Sequence, residues 1–416
     1  MKYAHLICIG VYLFFTTSAS WAATYPLPEA GNNIVGKITH AKVLKEDTLL
    51  DIARRHDVGY NEIVAANPNV DPWLPAEGSE VVVPTQYILP NAPRDGIVIN
   101  IPEMRLYFYP RPTSTEADAV VVTYPVGIGA EGNDLPLKKS YISQKTVKPT
   151  WFVPESIRKE HAADGDILPK SIPPGEDNPL GDYAMRLGRT SFLIHGTNRP
   201  YSIGMRVTHG CLRMYPEDIS ALFPRIAVGL PVHIVDQPYK LGVNNGEIYV
   251  EMHEPIAPMD LTQLSNLPVS LHQQAATEGI YMDYEMWDTV TQESTQNRGI
   301  PISLGQPHVI NTEFKNSVAK SEGWILQVGA YGQAENIERM VLLMRNLLAP
   351  VSVVGDRKSS LCRVVSGPFP DKTRALRFQT IIASLFDIKT AVLPARKLDN
   401  ATHCNLFTRP LSAQRN

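Results

Sequence analysis

The sequence predicts a multidomain chain: a small βααβ unit, a mostly β central domain and a C-terminal, ferredoxin-like βαββαβ unit. Three observations predict it. The 416 residues suggest two to four domains. Proline is rich, at 34 residues, and marks boundaries between candidate units, as in "LPNAPRDG". Hydrophobic spacing is helical near residue 50, strand-like from about 95 to 236, and alternates between the two beyond 320. Hydrophobic content of 44% is ordinary for globular material, and a formal charge of −3 argues against a nucleic-acid partner.

The first element is a leader. Lys2 precedes an apolar run from Leu6 to Phe15, and Ser20-Trp21-Ala22 forms a small-x-small cleavage site. We expect a signal peptide over residues 1–22, cleaved near Ala22. The run is too short to span a bilayer, and Cys8 lacks the small residues that precede a lipidation cysteine. No membrane anchor is expected.

Residues 36–85 follow. In "KEDTLLDIARRHDVGYNEIVAANPNV", Asp47 and Thr48 can cap a helix whose apolar face is Leu49, Ile52 and Ala53. Gly59 ends that turn, Asn61 can cap a second helix, and "EVVVPT" reads as a strand. Strand, helix, helix, strand in under fifty residues, closed by "ANP", resembles a LysM domain. The resemblance implies binding of N-acetylglucosamine polymers, peptidoglycan among them; a generic small domain is the alternative. "LPNAPRDG" then reads as a linker.

The central domain is expected over 95–236. "GIVINI" and "RLYFYP" form a hairpin pattern, and "AVVVTYPVGIG", "SYISQKTV", "TSFLIHGT" and "GLPVHIVD" add strands. Residues 237–305 carry weaker signals and are expected to extend this domain. Residues 306–320 read as a linker. In 321–396, "GWILQVGAY", "VSVVG", "LCRVVSGPF" and "IKTAVL" are strands. One helix is expected from the spacing of Ile337, Met340, Val341, Met344, Leu347 and Leu348. Another, capped by Asp371, carries Ala375, Phe378, Ile382 and Leu385. The order βαββαβ, with the paired "QVGAY" and "VSGPF", resembles a SPOR domain. That implies binding of glycan strands stripped of stem peptides and gathering at the division septum.

Removing the leader leaves Cys211, Cys362 and Cys404. An odd count in an oxidising compartment leaves one thiol over. Cys362 and Cys404 share the C-terminal region and can pair, which leaves Cys211 free. His195 lies sixteen residues before Cys211, and His209 two residues before it. Either imidazole can take a thiol proton. Gly210 permits close approach of a substrate to the backbone, and a neighbouring N–H can steady an oxyanion. Arg213 can hold a carboxylate. Three other readings compete: an inert buried cysteine, a zinc site on His195, His209 and Cys211 without an obvious fourth ligand, and a papain-like or glutaminase-like enzyme on another fold.

"IHGTN" followed by "IGMRVTHGCLRMYPEDI" resembles the signature of the L,D-transpeptidases of YkuD type. "GIVINIPEMRLYFYP", "YPVGIG", "KPTWFVP" and "PPGEDNPLGDYAMRL" extend the resemblance over the whole central domain. It implies a YkuD-like β-sandwich with Cys211 as nucleophile and His195 as general base. His209, Gly210, Gly196, Thr208 and Arg213 would support them. It implies no metal and no organic cofactor. The substrate would be a peptidoglycan tetrapeptide stem, transferred through a Cys211 thioester to an amine. "TYPLP" and "ANPNVDPWLP" resemble the periplasmic subgroup that attaches Braun's lipoprotein to peptidoglycan. That subgroup often carries serine where this chain has His209, which implies that His209 is dispensable. The acceptor stays open between a lipoprotein lysine, a second diamino acid giving a 3-3 cross-link, and a free D-amino acid. Hydrolysis at the same site, as an L,D-carboxypeptidase or amidase, and a non-catalytic wall-binding protein are the alternatives.

Overall fold

The computed structural model describes residues 23–111, 119–132, 135–136, 139–256, 271, 274–275, 280, 282, 284–294, 296–306, 323–333, 336–337, 340–341, 344, 351–355, 361–386, 388–398 and 404. The expected leader over 1–22 and all but one residue of the expected 306–320 linker lie outside them.

The βααβ order is present. Thr39–Lys42 pairs antiparallel with Glu80–Val83, and α1 (Leu49–Arg55) and α2 (Tyr60–Ala66) lie between them in sequence. Thr48 caps α1 in a capping box with Asp51. The cap of α2 is Gly59, not Asn61: the Glu62 carboxylate accepts the Gly59 N–H, and the Asn61 amide turns to Met104. Leu49, Ile52, Ala53, Ile63, Val81 and Val83 fill a small core.

The unit is docked on the central domain, and the expected "LPNAPRDG" linker is strapped down. Leu89 N–H donates to Asn33 O, and Asn91 exchanges two hydrogen bonds of 2.9 Å with the Gln237 side chain. Backbone meets backbone across the units at two glycines. Tyr60 N–H donates to Ile203 O and Asn61 N–H to Gly204 O. A Cβ on Gly204, whose φ is +77°, would lie 2.5 Å from Gly59 Cα. Below them Arg105 makes a two-pronged ion pair with Glu62 at 2.7 and 2.8 Å, both buried. Gly204→Ala therefore faces both a disfavoured backbone region and a backbone clash. We expect it to lower Tm and to open the α1–α2 region to limited proteolysis; an unchanged digestion pattern would show that the glycine contact does not hold the units together.

A nine-stranded sheet forms the central domain, in the order Thr24–Pro26, Val120–Pro125, Arg105–Tyr109, Gly96–Asn100, Pro231–Val235, Lys139–Val147, Tyr183–Leu187, Leu193–His195, Leu212–Arg213. Its edge strand, Thr24–Pro26, comes from outside the expected 95–236 span. Ile97, Ile99, Leu106, Phe108, Val122, Ile142, Met185, Ile194 and Leu212 are buried in one core on this sheet; α3 (Glu155–Ala163) and α4 (Pro216–Leu222) follow in the chain, and Leu222 of α4 covers part of that core. The strands are buried runs because helices and neighbouring units cover them.

Residues 237–305 build a three-stranded sheet, Tyr239–Asn244, Glu247–Met252 and Ile302–Gly305, with the helix Tyr284–Glu293. Lys240 anchors it: its fully buried ammonium contacts Glu103 at 2.9 Å, Glu251 at 2.8 Å and the Ile88 carbonyl at 2.6 Å. The C-terminal unit is a four-stranded antiparallel sheet in the order Val351–Gly355, Cys362–Phe369, Trp324–Tyr331, Ala391–Pro394, with the helix Lys372–Phe386. Ile337, Val341 and Met344, all helical, pack into its core with Phe378 and Ile382. That core is continuous with the core of 237–305 through Met252, Trp287, Leu326 and Val328. Cys362 and Cys404 form a disulfide across 42 residues. Leu347, Leu348 and the side chain of Leu385 lie outside the described residues.

Candidate active site

Strand pairing assembles the site. Leu193–His195 runs parallel to Leu212–Arg213, with Ile194 opposite Leu212 and His195 opposite Arg213. Ile194 and Leu212 point into the core and are fully buried. The period of two then turns His195, Arg213 and Cys211 to the opposite face. His195 and Cys211 therefore lie on the same face of neighbouring chain segments.

Cys211 is a free, partly exposed thiol. Burial pushes its pKa up; the Leu193 N–H and the charges of Arg213 and Arg186 pull it back down. His195 is buried, and its Nδ1 lies 2.6 Å from the Gly196 carbonyl. A carbonyl only accepts, so Nδ1 carries the proton and Nε2 is the basic nitrogen. Burial, reinforced by the Arg213 charge, lowers its pKa to about 4. The imidazole is neutral at pH 7 and able to accept a proton.

Thr208 shapes the turn between the strands. Its Oγ1 donates to the Cys211 carbonyl at 2.6 Å and accepts the Gly210 N–H at 3.2 Å. Gly210 sits at φ +101°, a conformation that disfavours any side chain there. Arg213 is pinned by its backbone to Gly127 at 2.9 Å in both directions, and its Nη1 reaches Ser202 Oγ at 3.4 Å. Arg186 and Arg199, which the sequence reading did not single out, add positive charge around Cys211 and Arg213 respectively. Such a field suits a substrate carrying carboxylates. Next to the site, a cleft of about 580 Å³ is lined by Lys148, Asn178, Gly196, Thr197, Asn198 and Pro216, among others.

His209 stands apart. It is partly exposed and pairs at 3.0 Å with Glu160 of the helix Glu155–Ala163. The ligand atoms of His195, His209 and Cys211 do not converge as a zinc site requires. Among the described residues, metal-like spacing occurs at Glu103, Glu251 and His253, where the Lys240 ammonium already bridges the two carboxylates.

Residues 94–234 match the L,D-transpeptidase catalytic domain family, YkuD, and residues 320–393 match the SPOR domain family. The probable L,D-transpeptidase YcfS of Escherichia coli K12 is 37% identical over 311 residues, spanning 71% of this chain and 95% of the relative. The chain belongs to the L,D-transpeptidase family. The probable L,D-transpeptidase ErfK/SrfK of the same strain is 36% identical over 312 residues, covering 73% of this chain and 97% of its own. The probable L,D-transpeptidase YbiS is 37% identical over 297 residues, covering 70% and 94%.

Within this L,D-transpeptidase the exposure of the His209–Glu160 pair sets its worth. Exposed pairs contribute about 0–1 kcal/mol. His209→Ser is expected to retain transfer activity within a few-fold of the parent, measured as initial rate on a tetrapeptide muropeptide. A loss as large as that of a His195 substitution would place His209 in the proton path.

Proposed function

We propose that this L,D-transpeptidase transfers peptidoglycan tetrapeptide stems through a thioester on Cys211. The thiol proton passes to His195 Nε2 as Sγ attacks the carbonyl of the third residue, a diamino acid. The Cys211 amide is the donor we assign to the oxyanion, since Thr208 Oγ1 occupies the Gly210 N–H. His195 then protonates the departing nitrogen, the bond breaks and D-alanine leaves. An acceptor amine attacks the thioester, gives its proton to His195, and the thiolate is released and reprotonated. Arg213, with Arg186 and Arg199, holds the carboxylates of the stem. No metal or organic cofactor enters these steps.

The observation that carries this reading is the strand register, which sets a free, partly exposed thiol on the same sheet face as an imidazole whose Nδ1 is committed to the Gly196 carbonyl. The test is mass spectrometry of muropeptides after incubation of the purified protein with tetrapeptide-rich wall and an amine acceptor. Transfer products with loss of D-alanine are expected. Free tripeptide alone would favour the hydrolytic use of the site.

The acceptor we propose is a lysine of a Braun-type lipoprotein or the diamino acid of a second stem. The protein acts in the periplasm after removal of a leader over 1–22. The 36–85 unit serves as a LysM domain; Trp73, exposed and 6.1 Å from the Tyr60 ring, offers a face on which a sugar can stack. The SPOR domain directs the enzyme to denuded glycan at the septum. Deleting 320–416 should spread a fluorescent fusion from midcell to the periphery, and persistence at midcell would remove that role.

A further inference from the structure

Two acidic side chains are buried where the βααβ unit meets the central domain. Asp57, just after α1, is 7% exposed, and Asp218, in the first turn of α4, is 3% exposed. Their carboxyls face each other; burial raises the cost of ionising both, and the Asp57 charge raises that of Asp218 further. Neither Asp57 oxygen nor Asp218 Oδ2 has a hydrogen-bond donor. Such groups cost free energy unless something cationic or proton-donating meets them.

The fixed charges around them are spent. Arg105 is held by Glu62 at 2.7 Å, and Arg54 by Glu217 at 3.1 Å. The remaining titratable neighbours are Tyr25 of the edge strand, Tyr124 of the next strand and Tyr215 at the start of α4, all neutral phenols at pH 7. One further polar group lies against Asp57: the backbone nitrogen of Ala23. Sheet pairing fixes it there. Thr24 is in register with Val122, and Thr123 N–H donates to Ala23 O at 3.0 Å. As a peptide amide this nitrogen is neutral, and its one hydrogen, fixed in direction, leaves the carboxyl pair without a cation.

We propose that hydrolysis of the Ala22–Ala23 bond creates a structural ion site, in which the α-ammonium of Ala23 binds between the carboxylates of Asp57 and Asp218 and locks the βααβ unit to the helix that follows Cys211. The reaction adds one water across the bond. The leader keeps the Ala22 carboxylate, and Ala23 gains a positive charge with three hydrogens. That charge sits on the catalytic sheet, between an acid from each unit. Because α4 begins three residues after Arg213 and places Ile219 against Gly196, the lock bears on the strand ends that carry Cys211 and His195. The inference rests on the leader reading above.

The test compares the full mature chain beginning at Ala23 with the same chain carrying Gly-Ser ahead of Ala23. The extension moves the ammonium away and leaves every core residue in place. The Ala23-start chain is expected to melt at least about 4 °C higher. Its α-amino group, ¹³C-methylated and titrated by NMR, should bind its proton at least tenfold more tightly than an exposed one. Asp57→Asn should lower Tm in the Ala23-start chain but not in the extended chain. Equal melting of the two chains, or an ordinary α-amino titration, overturns the ion site while leaving the leader reading intact. Mass spectrometry of exported protein tests the leader reading separately: a mature terminus other than Ala23 overturns both.

Discussion

Cys211→Ala is expected to abolish stem transfer, with a loss on the order of 10⁴–10⁶-fold in kcat. The thiol is the one free cysteine among the described residues, and the hydroxyl of the adjoining turn, Thr208 Oγ1, is committed to the Cys211 carbonyl and the Gly210 N–H. The substitution should leave the fold intact. Cys211 is half-exposed, and the core beside it is made by Leu212 and Ile194, which the change does not touch. Tm and wall binding should therefore stay close to those of the parent. Intact-protein mass spectrometry under single turnover should find a stem adduct on the parent, lost under thiol-free hydroxylamine, and none on the variant. Transfer at the parental rate by the alanine variant would end the thioester mechanism.

The local elements were legible because local chemistry sets them. Thr48 and Asp51 close the α1 cap within three residues, and the strand runs around His195 and Cys211 show their period directly. The proposed choice of His195 over His209 rests on sequence, through the serine that related sequences place at His209. The ring partners are compatible with that proposal: Gly196 orients the buried imidazole while Glu160 engages the exposed one. What could not be read is how the units dock. The Glu62–Arg105 pair, the Gly59–Gly204 contact and the Lys240 bridge each join residues far apart in the chain, and no periodicity announces such partners. A proline-marked stretch looked like a tether because proline breaks helices and strands alike. Asn91 and Gln237 show that it can equally be a fixed strap. Arg186 and Arg199 escaped notice for a similar reason. Neither lies beside the histidine–cysteine motif, and only the folding of the sheet brings their charge to it.

His195→Ala carries the second large effect: a loss of roughly 10³-fold or more in kcat/KM, near the upper part of the range for a positioned proton-transfer group. The pH profile distinguishes this role from a structural one. In the proposed mechanism the competent free enzyme is neutral imidazole with neutral thiol. Burial favours both neutral forms, lowering the pKa of His195 to about 4 and raising that of Cys211. The acid limb of kcat/KM should thus fall near pH 4, well below the ordinary histidine value of about 6.5, with a plateau from about pH 5 into the neutral range. A preformed thiolate–imidazolium pair would instead need a thiol pKa pulled down, and burial opposes it. The same shift has a sign for stability. A base whose folded pKa is depressed binds fewer protons folded than unfolded, so its contribution is present above about pH 6.5 and is lost as pH falls toward 4. In the alanine variant this part of the acid destabilisation should disappear together with the rate. An acid limb at pH 6.5 in the parent, or one that survives His195→Ala unchanged, would assign the proton acceptor to another group.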